Sequence, residues 1–246
     1  MTKTLQILIL LLTFSSCESK KYKRPKKFKP PETEDLVKLS QESGIDLFAI
    51  KLLAKHSDTL PRHLRTHMGG IILIDDPAFD PMEQMFDENR PNGKTVLIPG
   101  VYINLRKDQN AIDIIHEIRP KIQRKLYEIM IAEKNFGFEP DKLAIIKSEN
   151  KFDPIKYQRT SGINYGIEND SVISILKYFD KKLKLEYVGA DNDWCEFEIT
   201  ADSVDWELLA KECYKFCPDI VEQGTDTVEK LKEKMEKSKR LYFWWD

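Results

Sequence analysis

The 246-residue sequence has little of what usually betrays an activity. Its ten glycines gather into no phosphate-cradling loop, dinucleotide fingerprint or nucleophile elbow. The four histidines, His56, His63, His67 and His116, stand at no spacing that pairs them with a serine or cysteine. Beyond the first seventeen residues, no stretch approaches the roughly 18 uninterrupted apolar residues of a membrane-crossing helix. Net charge is only −2, and past the N-terminal region the basic residues are interleaved with acids. That distribution lacks the basic stripe of a phosphate-backbone binder, so nucleic acid is excluded as a partner. Four cysteines, one of them spent at the N-terminus, leave an odd number and exclude a disulfide scaffold. No internal repeat is present, and no residue pattern calls for a cofactor.

What is there begins with an address. Thr4 to Cys17 is uncharged, its centre Leu5 to Leu12 is aliphatic apart from Gln6, and Lys3 supplies a positive flank, as in a secretory signal. Thr13-Phe14-Ser15-Ser16-Cys17 then puts small residues directly before a cysteine. This resembles the lipobox read by lipoprotein signal peptidase, although Phe14 stands where that pattern usually has leucine. The expectation is cleavage after residue 16 and a lipid on Cys17, placing the protein in the cell envelope on the non-cytoplasmic side of a membrane. An ordinary secretory signal or an uncut membrane helix leaves the lone cysteine unexplained.

Residues 17–33 continue as a tether. Lys20, Lys21, Lys23, Arg24, Lys26, Lys27 and Lys29 are interrupted by Pro25 and followed by Pro30 and Pro31, a composition that builds no core. Beside a lipid, such charge also attracts anionic head groups at about 1 kcal/mol per basic residue. A plain solvated spacer accounts for it equally well.

About 210 residues remain, enough for one large or two small packed domains. Glu34 to Ser43 reads as a short helix stopped by Gly44, and Ile45 to Leu53 as a strand of ambiguous period. Ile71 to Ile74 reads as a buried strand closed by Asp75-Asp76-Pro77, and Val96 to Leu105 as a strand broken at Pro99-Gly100. Ala111 to Ile118 is a helix by its isoleucine spacing, with Pro120 either ending it or opening the next turn, and Tyr127 to Ala132 and Leu143 to Lys147 are strands. Farther on, Asn169 or Asp170 caps a helix with the face Val172, Ile173, Leu176 and Phe179. Leu183 to Val188 and a segment holding Trp194, Phe197 and Ile199 form a hairpin around Gly189 to Asp193. Asp202 or Ser203 caps a helix carrying Trp206 to Cys217, ended by Pro218. Asp226 with Glu229 has capping-box spacing for a last helix, and Leu241 to Trp245 closes the chain as a strand. The class is α+β, a mixed or antiparallel sheet with helices packed on it.

Several short motifs stand in order along the C-terminal half. They are Gly162-Ile163-Asn164-Tyr165, Gly189-Ala190 with Asp193-Trp194, Phe216-Cys217-Pro218-Asp219, Gln223-Gly224 and the ending Leu241-Tyr242-Phe243-Trp244-Trp245-Asp246. Together they resemble the bacterial family catalogued as domain of unknown function (DUF) 4253, over roughly Tyr127 to Asp246. The resemblance implies a compact α+β domain, with a ferredoxin-like variant as one form, and supplies no catalytic residues. The division it suggests is residues 34–126 as an N-terminal α/β subdomain on the same sheet and residues 127–246 as the C-terminal domain.

Candidate chemistry is sparse. Cys213 and Cys217 share a helix face at a spacing that suits two thiolates on a metal, yet Trp206, Leu209 and Ala210 share that face, and a buried apolar pair is the better account. Their placement within one regular helix does not suit a direct disulfide. His63 and His67 have the same spacing, but their arginine neighbours disfavour a cation, so no metal site is expected. Arg62 and Arg65 with the backbone at Gly69-Gly70 suit an anion better, and a solvated helix end accounts for them as well. Asp75 and Asp76, at the end of a predicted buried strand, read as turn formers. The densest mixture of aromatic and polar types is Asn164, Asp193, Trp194, Asp219, Gln223 and Trp244, the candidate ligand-binding set. Trp244 and Trp245 are expected on opposite faces of a strand.

These observations favour a non-enzymatic, membrane-anchored binding or interaction module, with a protein or small molecule as its partner. An enzyme with a site in the C-terminal domain, or an immunity-type protein that neutralises another protein by surface contact, are the alternatives.

Overall fold

The computed structural model describes residues 33–67, 70–72, 96–122, 126–135 and 137–246. The signal segment, Cys17, the tether, Gly69 and Asp75-Asp76 lie outside the described residues. So do Leu73 and Ile74 of the strand read at Ile71 to Ile74.

Among the described residues, one eight-stranded mixed sheet organises the chain. In sequence the elements are α1 (Thr33–Ser43), α2 (Leu47–Ala54), β1 (Arg62–His67), β2 (Gly70–Ile72), β3 (Val96–Asn104), α3 (Ala111–Ile118), β4 (Tyr127–Glu133) and β5 (Lys142–Lys147). There follow α4 (Asp153–Gln158), a 3-10 turn (Ile163–Tyr165), α5 (Asn169–Leu183), β6 (Leu185–Ala190), β7 (Trp194–Ile199) and α6 (Trp206–Phe216). A π-helical turn (Ile220–Thr225), α7 (Val228–Ser238) and β8 (Arg240–Trp244) complete the chain. The strand order is β2-β1-β3-β5-β4-β6-β7-β8, antiparallel throughout except for the β4/β6 pair. β6, β7 and β8 are neighbours in sequence order, so no strand is interleaved among them as a ferredoxin-like split βαβ unit would require.

The centre of the sheet is buried on both faces, which is why β4 and β5 read as continuous apolar runs. Ile129, Ile131, Leu143, Ile145, Val101 and Ile103 face α1, α2 and α3. The alternate residues, Met130, Ala132, Ala144, Ile146 and Tyr102, face α4 to α7. At the β4/β6 seam the backbones approach so closely that a Cβ on Gly189 would lie 2.7 Å from the Ile131 carbonyl oxygen.

Several elements depart from the sequence-based expectations. Ile45 to Leu53 is not a strand: α2 occupies Leu47–Ala54 and buries Ala49, Ile50, Leu52 and Leu53. That run is apolar at almost every position, so it carries no period, and its leucines and alanines favour helix. Arg62 to His67 is a strand rather than a helix end. Four residues along a strand span about 13 Å, which takes His63 and His67 out of range of a shared ion. Pro99-Gly100 does not break β3, which continues to Asn104 with Gly100 paired to Ile146.

Finally, the helix caps differ. α6 is capped by Asp205, whose carboxylate accepts from Leu208 N, and α7 by Thr227, which accepts from Lys230 N. Asp226, at φ 66°, instead ends the preceding turn. Asn169 caps nothing; its amide donates to the Ile155 (2.9 Å) and Thr160 (3.0 Å) carbonyls and ties α5 to the loop before it. The β6–β7 loop is only Asp191 to Asp193, because Gly189 and Ala190 belong to β6.

Candidate functional site

Three of the six candidate residues converge on the last residue of the sequence. Asp219, a buried residue, accepts from the Tyr165 phenol, from Gln223 Nε2 (3.1 Å) and from the backbone N–H of Asp246 (3.0 Å). Asn164 Nδ2 donates to the Asp246 carbonyl (2.6 Å). Asp193 contributes through its backbone, its carbonyl accepting from Trp245 N (2.9 Å). Burial pushes the Asp219 carboxyl up, but its three donors outweigh burial and hold it below the usual range. The bond to Asp219 raises the Tyr165 phenol to about 12.

This arrangement is a clamp rather than a cleft. Trp245 is buried against Phe243 and Phe216, and it lies so near the chain at Gly162 that a Cβ there would come within 2.7 Å of the indole. The thiols nearby are equally enclosed. Cys213 and Cys217 are buried free cysteines, and the Cys217 Sγ–H donates to the Trp244 carbonyl (2.9 Å). Burial pushes the Cys217 thiol up to about 12, which makes it a poor nucleophile at neutral pH. Among the described residues, no group of three or more His, Cys, Asp or Glu side chains is placed to hold a metal ion.

Trp194 and Trp244 lie on the other face of β7 and β8, as the alternation of Trp244 and Trp245 requires. A polar ladder lies on this face. Lys134 and Arg240 both bind Glu196 at 2.8 Å. Burial raises that carboxyl, and the two cations more than reverse the effect. Lys134 Nζ sits 5.5 Å from the ring centroids of both Trp194 and Tyr242, which stack on each other. Glu198 continues the ladder to His116 (2.9 Å) and Arg240 (3.5 Å).

At the free margin of β8 the ladder meets a groove of about 320 Å³. Ile220, Leu231 and Met235 form one wall, Tyr242 and Trp244 the other, and Gly224 and Ser238 lie along it. Lys134, Lys234, Arg240 and Glu196 supply its charge, three cations against one carboxylate. Of the six candidate residues only Trp244 lines this groove. Sequence reasoning passed over the rest. The alternation Arg240, Tyr242, Trp244 against Leu241, Phe243 signals a two-sided strand, but Lys134 and Met235 reach it only through the fold.

These elements define an α+β domain built around an edge strand and a clamped terminal segment. Residues 142–246 match the model of a family described as Domain of unknown function (DUF4253), so that family covers the C-terminal part of the chain. β4, which the sequence resemblance included, precedes the matched residues. No curated protein and no solved structure matches the chain. No helix among the described residues is long and apolar enough to cross a membrane.

Proposed function

We propose that this chain is a non-enzymatic binding module, carried on a membrane by a lipid at Cys17, whose ligand site is the groove along β8. The ligand class is an anion with an apolar body. One observation carries the reading: an apolar, aromatic-walled groove of about 320 Å³ with three cations and one acid at its margins. Its size falls at the lower end of small-molecule sites, roughly 300–1,000 Å³, and its few polar groups sit where they would fix the head of a ligand. The basic tether and the expected lipobox support the anchoring part.

The test uses the full chain carrying Cys17→Ser, labelled with 5-fluorotryptophan and titrated with decanoate below its micelle concentration. Of the four tryptophans only Trp244 lines the groove. Its fluorine resonance is expected to move saturably while the other three stay nearly still, and Lys234→Glu should weaken the binding several-fold. A Trp244 resonance that does not move with decanoate rejects the groove as this ligand's site.

A further inference from the structure

β8 ends the sheet, and the register shows where its backbone points. Ile199 N bonds the Lys239 carbonyl and Trp245 N bonds the Asp193 carbonyl. The β7/β8 pairing between these two bonds is continuous and without a bulge. Antiparallel pairs alternate between bonded and non-bonded, so Phe197/Leu241 and Cys195/Phe243 are the bonded pairs. The N–H and C=O groups of Arg240 and Tyr242, with the N–H of Trp244, are therefore aimed away from β7 and into the groove. The far end is sealed, because the Trp244 carbonyl already accepts from Cys217 and the Asp246 N–H is held by Asp219.

From this we infer that the occupant of the groove is an extended, acidic peptide segment that adds to β8 as a ninth strand; the inference rests on the groove being the ligand site. Arg240 to Trp244 spans about 13 Å of edge, enough to pair a strand of roughly five residues. Successive side chains of an added strand point to opposite faces. One set falls on Leu231 and Met235, the other on Tyr242 and Trp244 beside Arg240. Lys234 supplies the charge that selects acidic residues, Arg240 being bound to Glu196 and Glu198. A second copy of this chain is a poor occupant, since it would bring Lys234 and Arg240 against their own counterparts, and the basic segment at residues 20–29 is repelled for the same reason.

The probes are an end-capped seven-residue peptide alternating glutamate and valine, the same peptide with alternate backbone nitrogens methylated, and decanoate. All are titrated into the full chain with Cys17→Ser. The unmethylated peptide should move the Trp244 fluorine resonance and slow hydrogen exchange of the Tyr242 amide at least tenfold. N-methylation should cost at least tenfold in affinity, and Lys234→Glu several-fold. If decanoate moves Trp244 while the peptide does not, or if the methylated peptide binds as well as the parent, strand addition is wrong and the groove reading stands. If neither decanoate nor peptide moves Trp244, both readings fall.

Discussion

Replacing Asp219 with alanine tests whether the polar residues near the end of the chain hold structure rather than ligand. The substitution removes the acceptor for Tyr165, Gln223 and the Asp246 N–H. Tyr165 and Gln223 lie at the surface and regain water, so nothing is counted for them. The partly buried N–H of Asp246 loses a charge-assisted bond of about 2 kcal/mol. For a packed region of this size, 1 kcal/mol moves the unfolding midpoint by roughly 2–4 °C, so a fall of about 4–8 °C is expected. Near-ultraviolet dichroism should weaken as well, because Trp245 is seated by the same tail.

The pH dependence carries a sign. A carboxyl held below its usual value stabilises the fold fully above about pH 4 and loses that contribution as pH falls through its folded value. The gap between wild type and Asp219→Ala should therefore be constant from pH 8 to pH 5 and close in stronger acid. Thermal unfolding followed by dichroism across that range is the assay. A variant that melts within 1–2 °C of wild type, in the terms of the same conversion, would refute the clamp.

Three further outcomes follow from other parts of the molecule. Gly189→Ala forces a Cβ against the Ile131 carbonyl at the β4/β6 seam and should cost about 1–3 kcal/mol in urea unfolding. Asp191 is pushed up to about 6, chiefly by burial, so its contribution to stability declines as pH rises from 4 through 6 and the cost is complete above that. Asp191→Asn should raise the melting temperature at pH 8, by a gain on the order of 1–3 kcal/mol, and have no effect near pH 4. Cys17→Ser should abolish incorporation of labelled palmitate and release the protein from the membrane fraction; labelling that persists contradicts the anchor.

Where a segment carried a clear period or a run bounded by turn residues, the sequence was a sound guide. α3 and α5 declared themselves by isoleucine and leucine spacing, and β4 and β5 by uninterrupted apolar runs that only a doubly covered sheet can bury. α2 misled because nearly all its residues are apolar, and β1 because Arg62 to His67 is polar apart from the buried Leu64. The caps moved because several residues competed for each helix start, and only the backbone of Asp205 and Thr227 was extended at the right point. The candidate site was legible in part. Asn164, Asp219 and Gln223 do come together, drawn to Asp246 by bonds that span up to 82 positions. The groove was hidden, since Lys134, Met235 and Tyr242 share no local pattern and meet only when α7 lies along β8.

The central claim, that the groove along β8 is a ligand site, is tested most directly by filling it. Gly224 lines the groove, and a Cβ there would meet only the Asp219 carbonyl oxygen at an ordinary 3.6 Å, so a larger side chain can be added without disturbing the core. Gly224→Phe is predicted to melt within a few degrees of wild type, a change of about 1 kcal/mol or less, while decanoate no longer moves the Trp244 resonance. A Gly224→Phe protein that is folded and still binds decanoate as wild type does would contradict the account.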